Sequence, residues 1–306
     1  MTAQPPKLKR DKVRIGVTPT LWWNDDFWSI DIGITFGQCV SEMALAGYEG
    51  CSVGHKYPKD PCVLKAELDL RGLTVSEPWV STYFTIPEGH AQTIATVRQQ
   101  LDFLDAVGGH DLVVAEFGGA ANPQPIAVFA NRPIFDDRQW KHLCDGLNEI
   151  GRMANDRGKR LCYHPHMGTG VNVAADIDRL MHGTAPDLVH LLLDTGHLYF
   201  AGVDPLHVAN KHGKRIKHIH LKNNRAEIVE RARTQNWSFQ TAVENGVFTV
   251  PGDPDGCIDF PPIFEALARH DFAGWIVVEA EQDPAKANPL RYARMAREYL
   301  RATLGF

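Results

Sequence analysis

The chain lacks most of the features that would assign it at a glance. None of its apolar runs approaches the roughly 20 residues of a membrane helix, and the opening MTAQPPKLKRDK has no apolar core of the kind a secretory signal needs. There is no long basic run and no basic stripe interleaved with aromatics, and the net charge is −5, so a nucleic-acid partner is not expected. Cysteine is sparse: the six residues Cys39, Cys51, Cys62, Cys144, Cys162 and Cys257 are widely spaced and form no CxxC pair. That spacing argues against a zinc knuckle and against a disulfide framework, and fits buried thiols in a reducing compartment. Short repeats and low-complexity tracts are missing as well. These absences predict a cytoplasmic protein with no membrane partner.

What remains is ordinary globular composition, 44% hydrophobic and 23% charged over 306 residues, enough to bury a sizeable core. Eight short β-branched or apolar runs recur: Val13–Thr18, Gly50–Val53, Leu73–Ser76, Asp111–Ala115, Arg160–Tyr163, Val189–Leu193, Ile216–Leu221 and Trp275–Val278. Helix-like stretches lie between them, among them Gln38–Ala46, Ala91–Val107, Asp137–Arg157, Val173–Leu180, Pro262–Ala268 and Pro289–Leu304. Leu112–Ala115, Leu191–Leu193 and Ile276–Val278 are apolar without alternation, the pattern of strands covered on both faces. Gly47 and Gly158 follow helical segments as C-terminal stops. The alternation predicts an α/β fold, a (β/α)8 TIM barrel, as one domain over residues 13–306 behind a flexible arm of residues 1–12. The rival, an open doubly wound sheet, is disfavoured because no candidate strand precedes a GxGxxG or GxxxxGK[ST] loop. The polar, turn-rich segment 223–254, before the last strand, is expected to be a lid or an insertion.

A barrel builds its site where strands end at the C-terminal rim. There the sequence offers Tyr163-His164-Pro165-His166, Asp194-Thr195-Gly196-His197, His218-Ile219-His220-Leu221-Lys222 and Glu279-Ala280-Glu281. Imidazoles and carboxylates from four successive strands suit a divalent ion such as Mn²⁺, Co²⁺, Fe²⁺ or Zn²⁺. His164, Asp194, His220 and Glu279 form the expected ligand set, with His218 one layer beneath His220 as the alternative. Taken singly, Asp194 reads equally well as a helix cap and each histidine as a satisfied core residue. Four such residues at consecutive strand ends carry the argument together. His166, His197, Glu281 and Lys222 are the acid, base and orienting candidates. Trp23, Asn24 and Asp25, in Trp22-Trp23-Asn24-Asp25-Asp26, are candidates to contact a polyol, although the same residues read as aromatics packed on the barrel mouth. Glu77 and Glu116 are rim carboxylates that would face substrate or act as a base. Phe117-Gly118-Gly119-Ala120 is a weaker candidate, for an anion nest.

At these residues the chain resembles the xylose isomerase-like barrels, a superfamily of sugar isomerases, epimerases and keto-sugar dehydratases. Asp194 with His197 looks like its sixth-strand element, His220 before Leu221-Lys222-Asn223 its seventh, and Glu279 after Val277-Val278 its last. The departure is at the fifth strand, where His164-Pro165-His166 stands in place of Glu-Pro-His. Within the superfamily the ordered series TPTLWWNDD, ALAGYEG, YHPHMGTGV, LLDTGHLYFAG, HIHLKN, GVFTVPGDPDGCIDF and WIVVEAEQDPAKANPL resembles the inosose dehydratases of myo-inositol catabolism. The resemblance implies loss of water from 2-keto-myo-inositol (scyllo-inosose), a requirement for Mn²⁺ or Co²⁺, and a glutathione requirement that no residue here explains. Three alternatives stay open: an isomerase or epimerase working through the same enediolate, an endonuclease IV-like phosphodiesterase, and a non-catalytic sugar-binding barrel. Such barrels often associate, so a homo-oligomer is allowed for.

Overall fold

The apolar runs become the staves of a barrel. The structure, a computed structural model, describes residues 6–306. Its strands in chain order are β1 (Val13–Val17), β2 (Gly50–Cys51), β3 (Thr74–Val75), β4 (Trp79–Thr82), β5 (Asp111–Glu116), β6 (Arg160–Tyr163), β7 (Val189–Asp194), β8 (Ile216–Leu221), β9 (Asn223–Asn224), β10 (Phe248–Thr249) and β11 (Gly274–Val278). Nine of them form one parallel sheet in the order β3-β2-β1-β11-β8-β7-β6-β5-β4. Its two ends are one run of chain. Only Ser76-Glu77-Pro78 separates β3 from β4; the Val53 N–H donates to the Glu77 carbonyl and the Val113 N–H to the Pro78 carbonyl, each at 3.2 Å. The run therefore pairs with β2 through its first half and with β5 through its second, and the barrel closes with eight staves. The sequence reading caught only the first half. Pro78, which has no N–H to donate, marks the change of partner.

Long helices cover the outside, and their ends follow the local chemistry. The Thr35 side chain accepts from the Gln38 N–H at the start of helix Phe36–Ala46, and Gly47 ends it at φ 87°. Asp136 and Gln139 form a capping box on helix Asp137–Asn155. Short helices that hydrophobic periodicity did not reveal, Pro61–Asp69 and Pro205–His212, begin at Asp-Pro pairs, where the aspartate caps and proline occupies the first turn. The main core lies between sheet and helices. Inside the barrel a separate small cluster, Val113, Cys162 and Leu192, forms an apolar floor beneath the open end.

One expectation is corrected and another takes definite form. The arm of residues 1–12 lies partly outside the described residues, but from Leu8 onward it is held. Leu8 is buried, Arg10 donates to the Val13 carbonyl at 2.8 Å, and Lys12 pairs with Asp271. Segment 223–254 folds as a roof of its own: β9 and β10 pair antiparallel around helices Ala226–Thr234 and Phe239–Glu244. Phe239 and Phe248 are buried. Among the described residues no helix is long and apolar enough to cross a membrane, and all six cysteines are free.

Candidate metal centre and its pocket

Strand parity decides which side chains enter the barrel, because alternate residues point to opposite faces. On β7 the inward positions are Leu192 and Asp194, and on β8 they are His218, His220 and, just past its end, Lys222. The register sets Asp194 beside His220, and β11 hands on to Glu279 through Val277, which lies opposite His220. His164 follows β6 directly. One ligand atom from each of His164, Asp194, His220 and Glu279 lies within 4.8 Å of the others. His164 Nε2 is 3.3 Å from Asp194 Oδ2, and His220 Nδ1 is 2.8 Å from Glu279 Oε2 and 3.8 Å from Asp194 Oδ2.

The donor set fits a divalent ion. His164 gives its Nδ1–H to the Pro165 carbonyl at 2.9 Å, which leaves the Nε2 lone pair free. His220 gives its Nε2–H to Glu77 Oε1 at 3.2 Å, which frees Nδ1. Asp194 Oδ2, His220 Nδ1 and Glu279 Oε2 are buried without hydrogen-bond partners, the Lys222 ammonium facing the two oxygens at 3.4 and 3.0 Å, and a second cation among them would use the lone pairs left open. Two imidazole nitrogens and two carboxylate oxygens match the taste of Mn²⁺, Co²⁺, Fe²⁺ or Zn²⁺. Burial disfavours charge on His220, yet Glu279 and Glu77 outweigh it and raise its pKa to about 10, so the local field favours a cation. Asp194 unites both sequence readings. Its Oδ1 caps helix Thr195–Phe200 by accepting from the His197 N–H at 2.7 Å, and its Oδ2 faces the cluster.

Beside the ligand set lies a second group. Lys222 is fully buried, with Nζ 2.7 Å from Glu281 Oε2, 3.0 Å from Glu279 Oε2, 2.9 Å from His197 Nε2 and 3.4 Å from Asp194 Oδ2, over the Phe248 ring. Burial works against its charge, but Asp194, Glu279 and Glu281 outweigh it and hold the ammonium protonated. Burial, reinforced by neighbouring cationic groups, keeps His166 and His197 neutral. His166 donates Nδ1–H to the Met167 carbonyl at 2.9 Å, so its Nε2 is a free base. The two rings lie 3.8 Å apart between centroids, tilted by 37°. Gly196 explains its place in the Asp194-Thr195-Gly196-His197 motif: a Cβ there would stand 2.5–2.8 Å from three carbons of the Lys222 stem. Gly196→Ala is expected to displace Lys222, cut turnover by roughly tenfold or more, and cost about 1–3 kcal/mol of stability. Steady-state kinetics and a thermal melt check both effects.

One cavity gathers Asn24, Asp25, Asp26, Glu77, His166, His220, Glu279 and Glu281 beneath Trp79 and Phe117. Asp26, at the rim, was passed over in the sequence reading although it closes the same Trp22–Asp26 loop. Desolvation, with the negative charges of Glu281 and Asp25, raises its pKa to about 6. His164, Asp194, His197 and Lys222 stand behind this lining. Trp23 does not reach the cavity. Its buried indole donates to Asp25 Oδ1 at 2.9 Å and packs edge-on against His55 and Tyr57, so it positions Asp25. Glu116 is likewise not a pocket residue. It accepts from the Phe84, Thr85 and Gly118 N–H groups and from the Thr82 and Thr85 hydroxyls. The glycine-rich turn is an anion nest occupied by the chain's own carboxylate. Glu77 is not a rim residue, because it sits between β3 and β4 inside the barrel, bonded to His220. His218 lies one layer down, with Nδ1 2.8 Å from Asp111 Oδ2.

Known proteins match this arrangement along nearly the whole chain. Residues 18–303 match the xylose isomerase-like TIM barrel family. Among solved structures, L-ribulose 3-epimerase superposes with a TM-score of 0.69 at 17% identity, over 96% of this chain and 95% of that one. The IOLI protein with a bound zinc atom superposes at 0.72 and 15% identity, over 95% and 98%. At such identities the likeness establishes the fold. Sequence similarity is far closer to an inosose dehydratase of Geobacillus thermodenitrificans, 48% identical over 299 residues covering 97% of this chain and 99% of the relative. One from Clostridium beijerinckii is 46% identical over 300 residues, 98% of this chain and 100% of the relative. Such identity, sustained from one end of the barrel to the other, leaves no ambiguity of kinship: this chain belongs to the inosose dehydratase family of the xylose isomerase-like TIM barrels.

Proposed function

We propose that the protein removes water from 2-keto-myo-inositol (scyllo-inosose) to give a trihydroxycyclohexane-dione, with a divalent metal, Mn²⁺ or Co²⁺ foremost, held by His164, Asp194, His220 and Glu279. The observation that carries this reading is the meeting of four open donor atoms with a free imidazole, a carboxyl and an ammonium around one cavity. The zinc named with the IOLI protein is consistent with such a site and leaves Zn²⁺, like Fe²⁺, among the candidates. Bound there, a divalent ion supplies Lewis-acid stabilisation of negative charge developing on a substrate ketone oxygen.

The chain's own groups divide the proton work. His166 presents a neutral Nε2 to the cavity and takes the proton from the carbon between ketone and carbinol. Loss of that proton yields an enediolate, and the β-hydroxyl then departs. The Lys222 ammonium, 2.7 Å from the Glu281 carboxylate, is the source of the proton that Glu281 passes to the leaving hydroxide, giving water. His197 accepts from Lys222 and keeps it in place. Asn24 and Asp25 hold ring hydroxyls, with Asp25 steadied by Trp23 and by His55 at 2.6 Å. Asp26 accepts a hydroxyl hydrogen most strongly as a carboxylate. Its pKa of about 6 therefore predicts that kcat/KM rises as pH passes upward through that value. In Asp26→Asn this limb should flatten, with a loss of roughly 10-fold above it, the size of one charged hydrogen bond. A pH–rate profile of both proteins is the check.

The decisive experiment incubates metal-loaded protein with scyllo-inosose and a panel of ketoses. It follows ultraviolet absorption of the enolised dione alongside any epimers. Dione from inosose supports the dehydratase; epimers without dione would replace it with the epimerase reading, for which the fold of L-ribulose 3-epimerase gives precedent. Repeating the assay with and without glutathione tests whether the thiol is needed. A cytoplasmic location and homo-oligomeric assembly complete the proposal.

A further inference from the structure

Beneath the ligand set a file of charged side chains crosses the barrel interior, where layers of apolar residues are the rule. It begins at Arg160, whose Nε and Nη2 grip Asp111 at 2.8 and 3.0 Å. Asp111 Oδ2 meets His218 Nδ1 at 2.8 Å. On the other side of the ring, His218 Nε2 faces Glu77 Oε2 at 3.3 Å as a charge contact, and neither atom has a hydrogen-bond partner. Glu77 Oε1 then meets His220 Nε2 at 3.2 Å, and His220 turns Nδ1 toward Asp194 and Glu279. Asp111 and His218 are wholly inaccessible, and Glu77 and His220 nearly so.

A buried ion pair seldom stabilises a fold more than well-packed apolar residues would, so four consecutive charged or polar groups call for another reason. The geometry supplies one. The hydrogen bond between Asp111 and Nδ1 fixes the plane of the His218 ring and turns its Nε2 toward Glu77 Oε2, 3.3 Å away. That charge contact draws one Glu77 oxygen toward His218 and leaves the other to receive the His220 Nε2–H. A histidine whose Nε2 carries the proton has its lone pair on Nδ1, the atom that faces the ligand cluster. The polarity of each link sets that of the next.

We propose that Asp111 is a positioning residue for the metal site, acting through His218 and Glu77 to hold His220 in the tautomer that ligates through Nδ1. This rests on the reading of His220 as a metal ligand. The four residues come from three separate stretches of the barrel wall, Asp111 from β5, His218 and His220 from β8, and Glu77 from the junction of β3 with β4, so only the closed barrel assembles the file.

The test uses the full-length protein loaded with Co²⁺, whose visible absorption reports ligand geometry, together with calorimetric Co²⁺ affinity and the imidazole nitrogen shifts of His220 by NMR. In Asp111→Asn, Co²⁺ binding is expected to weaken roughly 10–100-fold, the usual consequence of losing an outer hydrogen-bond partner, with an altered cobalt spectrum and a mixed His220 tautomer. His218→Leu keeps the Asp111–Arg160 pair, and should show the same three changes if Asp111→Asn fails to fold. Folded variants with wild-type affinity, spectrum and tautomer would refute the relay, whatever happened to their melting temperatures. His220→Ala separates the two claims. If it binds Co²⁺ as tightly as the native protein, the ligand assignment fails; if it alone loses Co²⁺, the ligand stands and the relay falls.

Discussion

His220→Ala and Glu279→Ala should each lose bound metal and at least about 10³-fold in kcat/KM, roughly 4 kcal/mol of transition-state stabilisation, while remaining folded. Each removes one of four converging donors. His220 Nδ1 and Glu279 Oε2 stand 2.8 Å apart, and the other group against Glu279 Oε2 is the Lys222 ammonium at 3.0 Å, which has no lone pair to replace a lost ligand. The fold should survive because the apolar floor of Val113, Cys162 and Leu192 and the packed outer core do not depend on either side chain. Metal analysis after desalting, with turnover and circular dichroism on the same samples, measures all three consequences. Full metal occupancy in both variants would remove the ligand assignment and the proposed chemistry with it.

Lys222→Met should be the most disruptive single change to stability. The ammonium is the shared counter-charge of Asp194, Glu279 and Glu281, and all four groups are buried. Breaking a buried pair by deleting one partner costs about 3–5 kcal/mol, because the other charge stays uncompensated; here three carboxylates lose it together. At 2–4 °C per kcal/mol the melting temperature should fall by roughly 6–20 °C. A divalent ion neutralises Asp194 and Glu279 but reaches Glu281 less well, so adding metal should restore part of the stability and little of the turnover. A thermal scan of Lys222→Met with and without Mn²⁺ reads this. A melting temperature unchanged from the native protein would show that the lysine is not the counter-charge its distances indicate.

The split strand shows how local evidence runs out. Leu73–Ser76 was readable as a strand, but Ser76-Glu77-Pro78 looked like its end, and Glu77 therefore like a rim carboxylate. Only the pairing of Val53 and Val113 with the Glu77 and Pro78 carbonyls shows that the strand resumes and that Glu77 points inward. Glu116 and Trp23 were misplaced for a related reason. Both are polar or amphipathic groups beside a strand end, and nothing in their spacing distinguishes a carboxylate facing a cavity from one consumed by five hydrogen bonds. Asp26 was missed in the opposite sense, since its neighbour Asp25 carries the same charge in the same loop.

Sequence alone determined the barrel, its eight-fold alternation and the four ligand candidates, because strand burial and strand ends leave periodic, one-dimensional traces. His164 needed no carboxylate to qualify, since an imidazole at a strand end is legible wherever it occurs. The tertiary structure decided how the nitrogens of each histidine are partnered, that Lys222 lies between Asp194, Glu279 and Glu281, and that Asp111 meets His218, which faces Glu77. Those facts depend on distances between residues up to 143 positions apart, and a hydrogen bond is specified by where two atoms meet in space, which no periodicity along the chain records.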